Sequence, residues 1–215
     1  MTTHQKGMFI TLEGGEGSGK STLILLLKGF LEEQGYKVTV TREPGGIELA
    51  EKIRGLIMDN EMDSMTEALL FASARREHLV RRVIPALERG EIVLCDRFVH
   101  SSLVYQGIVG QLGVETVSAL NSVAVGAHMP DFTLLLDIEP EEGIKRISSN
   151  DSREVNRFDK NSMDFHHRIR AGYNSLVDLF PEHNIKTINA SGTPEEVFAE
   201  GKKVFEAYLK TPVGV

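Results

Sequence analysis

Four short runs of apolar and β-branched residues punctuate the chain, at Met8 to Glu13, Val38 to Arg42, Ile92 to Asp96 and Phe132 to Ile138, with a weaker fifth at Ile185 to Asn189. Each is nearly continuous in hydrophobicity rather than alternating, as expected of strands covered on both faces and hence of a parallel sheet. Segments of helical period separate them: Lys20 to Gln34, Ile47 to Met58, Thr66 to Arg89, Val114 to Ala127, Pro140 to Ser149, Ser162 to Leu179 and Pro194 to Leu209. This alternation predicts an α/β fold, a doubly wound five-stranded parallel sheet with helices on both faces, whose ligands bind at the carboxyl ends of the strands. The first helix carries Leu23, Ile24, Leu25, Leu26, Leu27, Phe30 and Leu31, is apolar nearly all round, and is expected to be buried. On the third, Leu69, Val80, Val83, Ile84 and Leu87 form one apolar stripe at about 100° per residue, with Arg76 falling unexplained on it. Phe71 and Arg75, four apart, share the opposite side, and an aromatic placed off the stripe wants another reason to be there.

Composition narrows the class. With 215 residues, 41% hydrophobic and 26% charged, and no repeat, the chain is expected to form a single domain with a sizeable core. Met1 to Lys6 lack the apolar stretch of a signal peptide, and no apolar run approaches the roughly 18 residues of a membrane span, so a cytoplasmic protein with no membrane partner is expected. Cys95 is the only cysteine, which excludes an intramolecular disulfide and cysteine-ligated zinc or iron-sulfur sites, and its apolar neighbours point to a buried thiol. A formal charge of -7 argues against a nucleic-acid partner. Any phosphate site must therefore be locally basic.

Such a site follows the first strand directly. Gly14, Gly15, Glu16, Gly17, Ser18, Gly19, Lys20 and Ser21 match G-x-x-x-x-G-K-[ST] in full, set between a strand and an apolar helix, and Thr22 extends the set into that helix. Glycines let backbone N–H groups converge on phosphate oxygens, and the helix N-terminus adds partial positive charge. Lys20 is placed for the β- and γ-phosphates of ATP, and the Ser21 hydroxyl for Mg²⁺. The pattern implies a P-loop NTPase fold. A GTPase-type binding switch is the rival reading, but the chain has neither an N-K-x-D segment nor a D-x-x-G segment after the Asp96 or Asp137 strands. Phosphotransfer to a small acceptor gains by that absence.

Four further blocks then stand in register: Thr41-Arg42-Glu43-Pro44-Gly45-Gly46, Phe71 to Glu77, Cys95-Asp96-Arg97 through Tyr105-Gln106-Gly107, and Asn156-Arg157-Phe158-Asp159. Together they resemble the thymidylate kinase family, over nearly the whole chain from about Phe9 to Tyr208. The resemblance implies transfer of the γ-phosphoryl of ATP to thymidine monophosphate (dTMP), with Mg²⁺, in a homodimer. It implies that Asp96 works beside Ser21 on the metal's hydration shell, that Arg97 bridges donor and acceptor phosphates, and that Arg54 is a second clamp on the acceptor. Glu43 then lies near the acceptor's sugar, Phe71 stacks on thymine, and Arg75 donates to its O4. Ser102 and Gln106 complete the polar edge, and Tyr105 sits beside C2′.

Between Lys145 and Arg170 seven Lys or Arg face four Asp or Glu, a local excess of three in an acidic chain. By resemblance this holds a mobile lid at about 150–161. Because the phosphate loop carries Glu16 rather than arginine, Arg157, with Arg153 as an ATP contact, is expected to supply the transition-state charge. A nucleoside monophosphate has a second pKa near 6, so its attacking oxygen is already largely anionic and no general base is needed. His78, His100, His166 and His167 are accordingly expected to be structural or solvated. Adenine contacts are expected around Ala190 and Ser191. Three departures stand out, His100, Val104 and Asn161, of which the first two are expected to flank the acceptor site. The alternative reading is a related kinase for another pyrimidine nucleotide or a deoxynucleoside.

Overall fold

The computed structural model describes residues 7–149, 158 and 161–210. Five strands, β1 (Met8–Glu13), β2 (Val38–Arg42), β3 (Ile92–Asp96), β4 (Phe132–Asp137) and β5 (Ile185–Asn189), form one parallel sheet in the order β2-β3-β1-β4-β5. The period of two along a strand divides the core between the two faces. Ile10, Leu12, Ile92, Leu94, Phe132, Leu134 and Leu136 meet Leu23, Ile24, Leu27 and Leu31 of α1 (Lys20–Glu33) and Val197 and Phe205 of α9 (Pro194–Lys210). Their neighbours Phe9, Val93 and Cys95 face the other way, onto Leu79, Val83 and Ala86, while Leu135 faces Ile169, Tyr173 and Leu176 of α8 (Met163–Leu179). Each such side chain, removed wholly from water, contributes roughly 1.5–3 kcal/mol. Thr11 and Thr133 on that second face satisfy each other across the sheet at 2.8 Å.

Register brings the strand ends to one edge. Leu12 pairs with Asp96 and Asp96 with Arg42, and Leu135 pairs with Glu13. The backbone N–H of Glu43 donates to Asp96 O and that of Arg97 to Leu12 O, so the ladder runs one residue beyond β2 and β3. The order changes direction on either side of β1, and a crevice opens there.

The first helix is not buried all round. It lies in an outer layer, so among its apolar residues Leu23, Ile24, Leu27 and Leu31 are buried, Phe30 is half-buried against the same cluster, and Leu25 is 67% exposed. The long helix after α2 (Glu48–Asp59) also differs from a single stripe. It runs as α3 (Ser64–His78), a π-helical stretch Leu79–Val83 and α4 (Ile84–Glu88). A π turn takes up an extra residue, and this rotates the inward face so that no single 3.6 period runs through. Ala68, Ala74, Arg75, His78, Leu79, Val83 and Ala86 are buried, while Leu69 and Val80 of the expected stripe are exposed. Arg76 is explained by its partner: its Nη1 donates to Ala124 O near the end of α6 (Val114–Val125), where free carbonyls favour a cation. A helix the pattern did not announce follows β3, as α5 (Val99–Ser102) continued by a π-helical stretch Leu103–Val109. Among the described residues no helix is long and apolar enough to cross a membrane.

Candidate active site

The phosphate loop leaves β1 and enters α1 pressed against α7 (Pro140–Ser148). A Cβ on Gly17, whose φ is 71°, would fall 2.0 Å from Gly143 O, and one on Gly143 would fall 2.3 Å from Glu16 O. Two backbones therefore touch directly, and only glycine fits on either side. Lys20 Nζ donates to Gly14 O, Gly15 O and Ser18 Oγ at 3.0, 2.9 and 3.2 Å. Burial, reinforced by the neighbouring Arg97 charge, lowers its pKa to about 8 against the pull of Asp96, Glu16 and Glu13. Ser21 Oγ donates to Asp96 Oδ2 at 2.9 Å, which joins the start of α1 to the end of β3.

Arg97, the next residue, has a φ of 70°, a left-handed conformation that swings its side chain back over the loop. Its Nη2 donates to Glu16 Oε1 at 2.8 Å, and its Nη1 to Ser101 Oγ and Tyr173 OH at 3.2 and 2.9 Å. The guanidinium lies 5.2 Å from the Tyr105 ring centroid, and Tyr105 OH donates to the same Glu16 oxygen. Glu16 thus ties the phosphate loop to both Arg97 and Tyr105.

On the far side of Arg97 a second cluster centres on Arg75, only 2% exposed. Its Nε donates to Glu43 Oε2 at 2.7 Å, its Nη1 to Ser102 Oγ and Asn121 Oδ1, and its Nη2 to Phe98 O. The other Glu43 oxygen meets His78 Nδ1 at 2.8 Å, and His78 Nε2 meets Thr41 Oγ1. Gln106 Nε2 donates to Glu67 Oε1.

One cavity of about 590 Å³ joins both clusters. Of the sequence-predicted residues, Glu16, Gly17, Ser18, Gly19, Lys20, Ser21, Thr22, Glu43, Arg54, Phe71, Arg75, Asp96, Arg97, Ser102, Tyr105 and Gln106 line it. Gly14 and Gly15 lie behind it, on a separate small pocket. Arg153 and Arg157 lie outside the described residues. His100 and Val104 do not flank the acceptor side. Val104 is buried against the Gly172 backbone, and His100 sits beneath, facing Thr133 and His183, its pKa lowered by burial to about 3 so that it stays neutral. His78 and His166 are buried and His167 is exposed beside Glu141. Burial also pushes the Cys95 thiol well up.

Of the wall opposite Arg75, the sequence pointed to the loop after β5 around Ala190 and Ser191 but not to its partners on α7. Arg146 and Ile147 of α7 line that end together with Gly192, Pro194 and Val197, which follow directly on Ala190 and Ser191. Arg146 fixes it by donating to the carbonyls of Ala190, Ser191 and Gly192. The basic residues of α7 were visible as charge, but nothing local marked Arg146 as reaching across to that loop. Asn121 and Tyr173 carried no signal either, since their partners are 46 and 76 residues away.

A family model described as thymidylate kinase matches residues 12–200. The chain belongs to the thymidylate kinase family. Among curated relatives, a thymidylate kinase of Clostridium novyi is 50% identical over 200 residues, 92% of this chain and 97% of its own. One from Bacillus velezensis is 50% identical over 207 residues, 95% and 97% of the two chains. The crystal structure of thymidylate kinase from Ehrlichia chaffeensis superposes with a TM-score of 0.74 at 33% identity, covering 93% of this chain and 98% of that one. The cavity here runs unbroken between two separately built walls.

Proposed function

We propose that the chain transfers the γ-phosphoryl group of ATP to dTMP, giving dTDP and ADP. The observation that carries this is the single cavity with the phosphate loop at one end, the Arg75 cluster at the other, and Arg97 between them. In this reading residues Gly14 to Thr22 cradle the phosphates of ATP, whose base lies toward Arg146, Gly192 and Pro194. The acceptor phosphate meets Arg54 and Arg97, its sugar lies by Glu43 and Tyr105, and its base between Phe71, Arg75, Ser102 and Gln106. Two anionic phosphates must approach for reaction, and a guanidinium shared between them removes much of their repulsion.

Ser21 and Asp96 offer the hard oxygen atoms that suit Mg²⁺, which keeps several waters and shares phosphate oxygens. A Mg²⁺ held there would supply positive charge to the transferring group. Among the described residues no group of three or more His, Cys, Asp or Glu is placed to cage a metal, which fits an ion held largely by water and nucleotide. Arg157, assisted by Arg153, supplies the remaining positive charge. Arg157→Ala is expected to lower kcat about a thousandfold with little change in the dTMP KM, as for an interaction made mainly in the transition state; a KM effect alone assigns it to binding instead. Homodimer formation is supported by Leu49 and Leu56 on α2, Leu69 on α3 and Val123 on α6, large apolar residues exposed on α3 and on the two helices that pack against it.

The test is kcat/KM for three monophosphates. Loss of the thymine methyl should cost deoxyuridylate about 10- to 200-fold, whereas deoxycytidylate, whose amino group faces the Arg75 donor, should lose about 10⁴-fold. Equal rates on dTMP and deoxycytidylate overturn the assigned base pocket and favour a kinase of another pyrimidine nucleotide.

A further inference from the structure

Beneath Arg97 lies a carboxylate that the reaction itself does not call for. Glu13, the last residue of β1, is wholly buried. Four donors meet it: the backbone N–H groups of Phe98 and Ser101 at 2.7 and 3.3 Å on one oxygen, and the hydroxyls of Ser101 and Tyr173 at 2.6 and 3.1 Å on the other. His100 Nδ1 stands 4.0 Å away. Burying a carboxylate is costly unless donors satisfy it, and here the donors all belong to the turn that carries Arg97 or to groups that touch it.

The hydroxyl protons decide what Arg97 meets. Ser101 Oγ and Tyr173 OH are 2.8 Å apart and each has one proton. With Glu13 as acceptor, the Ser101 proton points to Glu13, and the Tyr173 proton points to Glu13 or to Ser101. Either way both oxygens turn lone pairs toward Arg97 Nη1, which donates to both. The same carboxylate holds the N–H groups of Phe98 and Ser101, which follow Arg97 and its left-handed φ. The arrangement runs from β1 through two hydroxyls on different helices to one guanidinium.

We propose that Glu13 is a positioning residue for phosphoryl transfer, fixing the Arg97 guanidinium through Ser101 and Tyr173. This rests on the reading of Arg97 as the bridge between the two phosphates. Glu13→Gln keeps the shape but presents an amide donor to the hydroxyls, which must then turn a proton toward Arg97, a donor itself. A misplacement on the order of 1 Å can cost about 10²-fold in rate, so kcat should fall by about that factor, with both KM values within about threefold of the parent. A carboxylate that merely capped α5 would cost stability and leave kcat untouched.

The decisive measurement is the same substitution made in Arg97→Ala protein and assayed at high enzyme concentration. With Arg97 gone, Glu13→Gln should change the residual kcat by less than about twofold, because the two residues act as one unit. Tyr173→Phe, which removes one relay hydroxyl without touching the buried charge, should lower kcat about fivefold to tenfold in the parent and nothing in Arg97→Ala, and it serves if Glu13→Gln does not fold. An undiminished kcat in Glu13→Gln, or a loss repeated in full in Arg97→Ala, overturns the link while leaving the proposed reaction standing. A parental kcat in Arg97→Ala overturns the role of Arg97 and the role of Glu13 with it.

Discussion

The two walls of the cavity are built on opposite principles. On the loop side, one charged side chain, Lys20, leans on backbone carbonyls and a hydroxyl of its own loop, and the glycines leave N–H groups to meet a ligand. On the Arg75 side the polar groups are bound to one another: Glu43 holds Arg75 and His78, and Arg75 spends donors on Ser102, Asn121 and Phe98 O. The loop wall is thus assembled for charge that arrives with the ligand, whereas the Arg75 wall has its shape set by the protein beforehand. The difference suits a common phosphate chain on one side and discrimination between bases on the other.

That contrast implies that truncating a charged side chain of the loop wall should cost activity alone, and one of the Arg75 wall stability as well. Lys20→Ala should lower kcat by about 10³-fold, close to 4 kcal/mol of transition-state stabilisation, while thermal unfolding stays at or above the parent's because a buried amine is removed. A large fall in melting temperature there breaks the contrast. Glu43→Gln should cost about 2 kcal/mol in denaturant unfolding, since a hydrogen bond to a charged group is worth roughly 1.5–3 kcal/mol and Arg75 is left buried beside a neutral partner. It should also narrow the preference for dTMP over deoxycytidylate. Unchanged stability shows that Arg75 does not depend on its carboxylate. The smallest effect is graded by pH. Burial lowers Lys20 to about 8, so the free protein loses that proton as pH rises through this value. Below pH 8 kcat/KM for ATP should be level, and above it should fall about tenfold per unit, until the protein itself unfolds. A plateau to pH 10 means the lysine keeps its ordinary affinity for the proton.

The same contrast separates what was legible in the sequence from what was not. The phosphate loop is a local object, eight consecutive residues between a strand and a helix, and reading it requires no tertiary information. The three central strands were equally plain, since burial on both faces leaves continuous apolar runs, whereas the edge strand β5, with Lys186 and Thr187 exposed, left only a weak one. The Arg75 wall is knit from residues as far apart as Glu43 and Asn121, and only the resemblance to a family supplied Glu43, Arg75 and Ser102 together. Two π-helical stretches, Leu79–Val83 and Leu103–Val109, defeat any pattern that assumes 3.6 residues per turn. They explain the broken stripe and the unforeseen helix after β3. The exposure of Leu25 had a different cause: a helix with leucine on every side shows no phase, so its outward face was invisible. Glu13 was passed over because a lone acid at a strand end carries no local signal of the four donors that fold around it.

The meeting of Gly17 with Gly143 bears on how such a protein can change over generations. At a backbone-to-backbone joint no side chain exists to be enlarged or shrunk by degrees, and single substitutions on either side collide with main chain rather than with something that can step aside. The two positions are coupled although 126 residues apart, yet neither offers a neutral first step toward a compensating change in the other. A library randomised at both together should return the glycine pair almost alone. New nucleotide preferences must therefore be reached from the rim of the cavity, at positions such as Arg146 and Pro194, while the seat of the phosphates stays as it is.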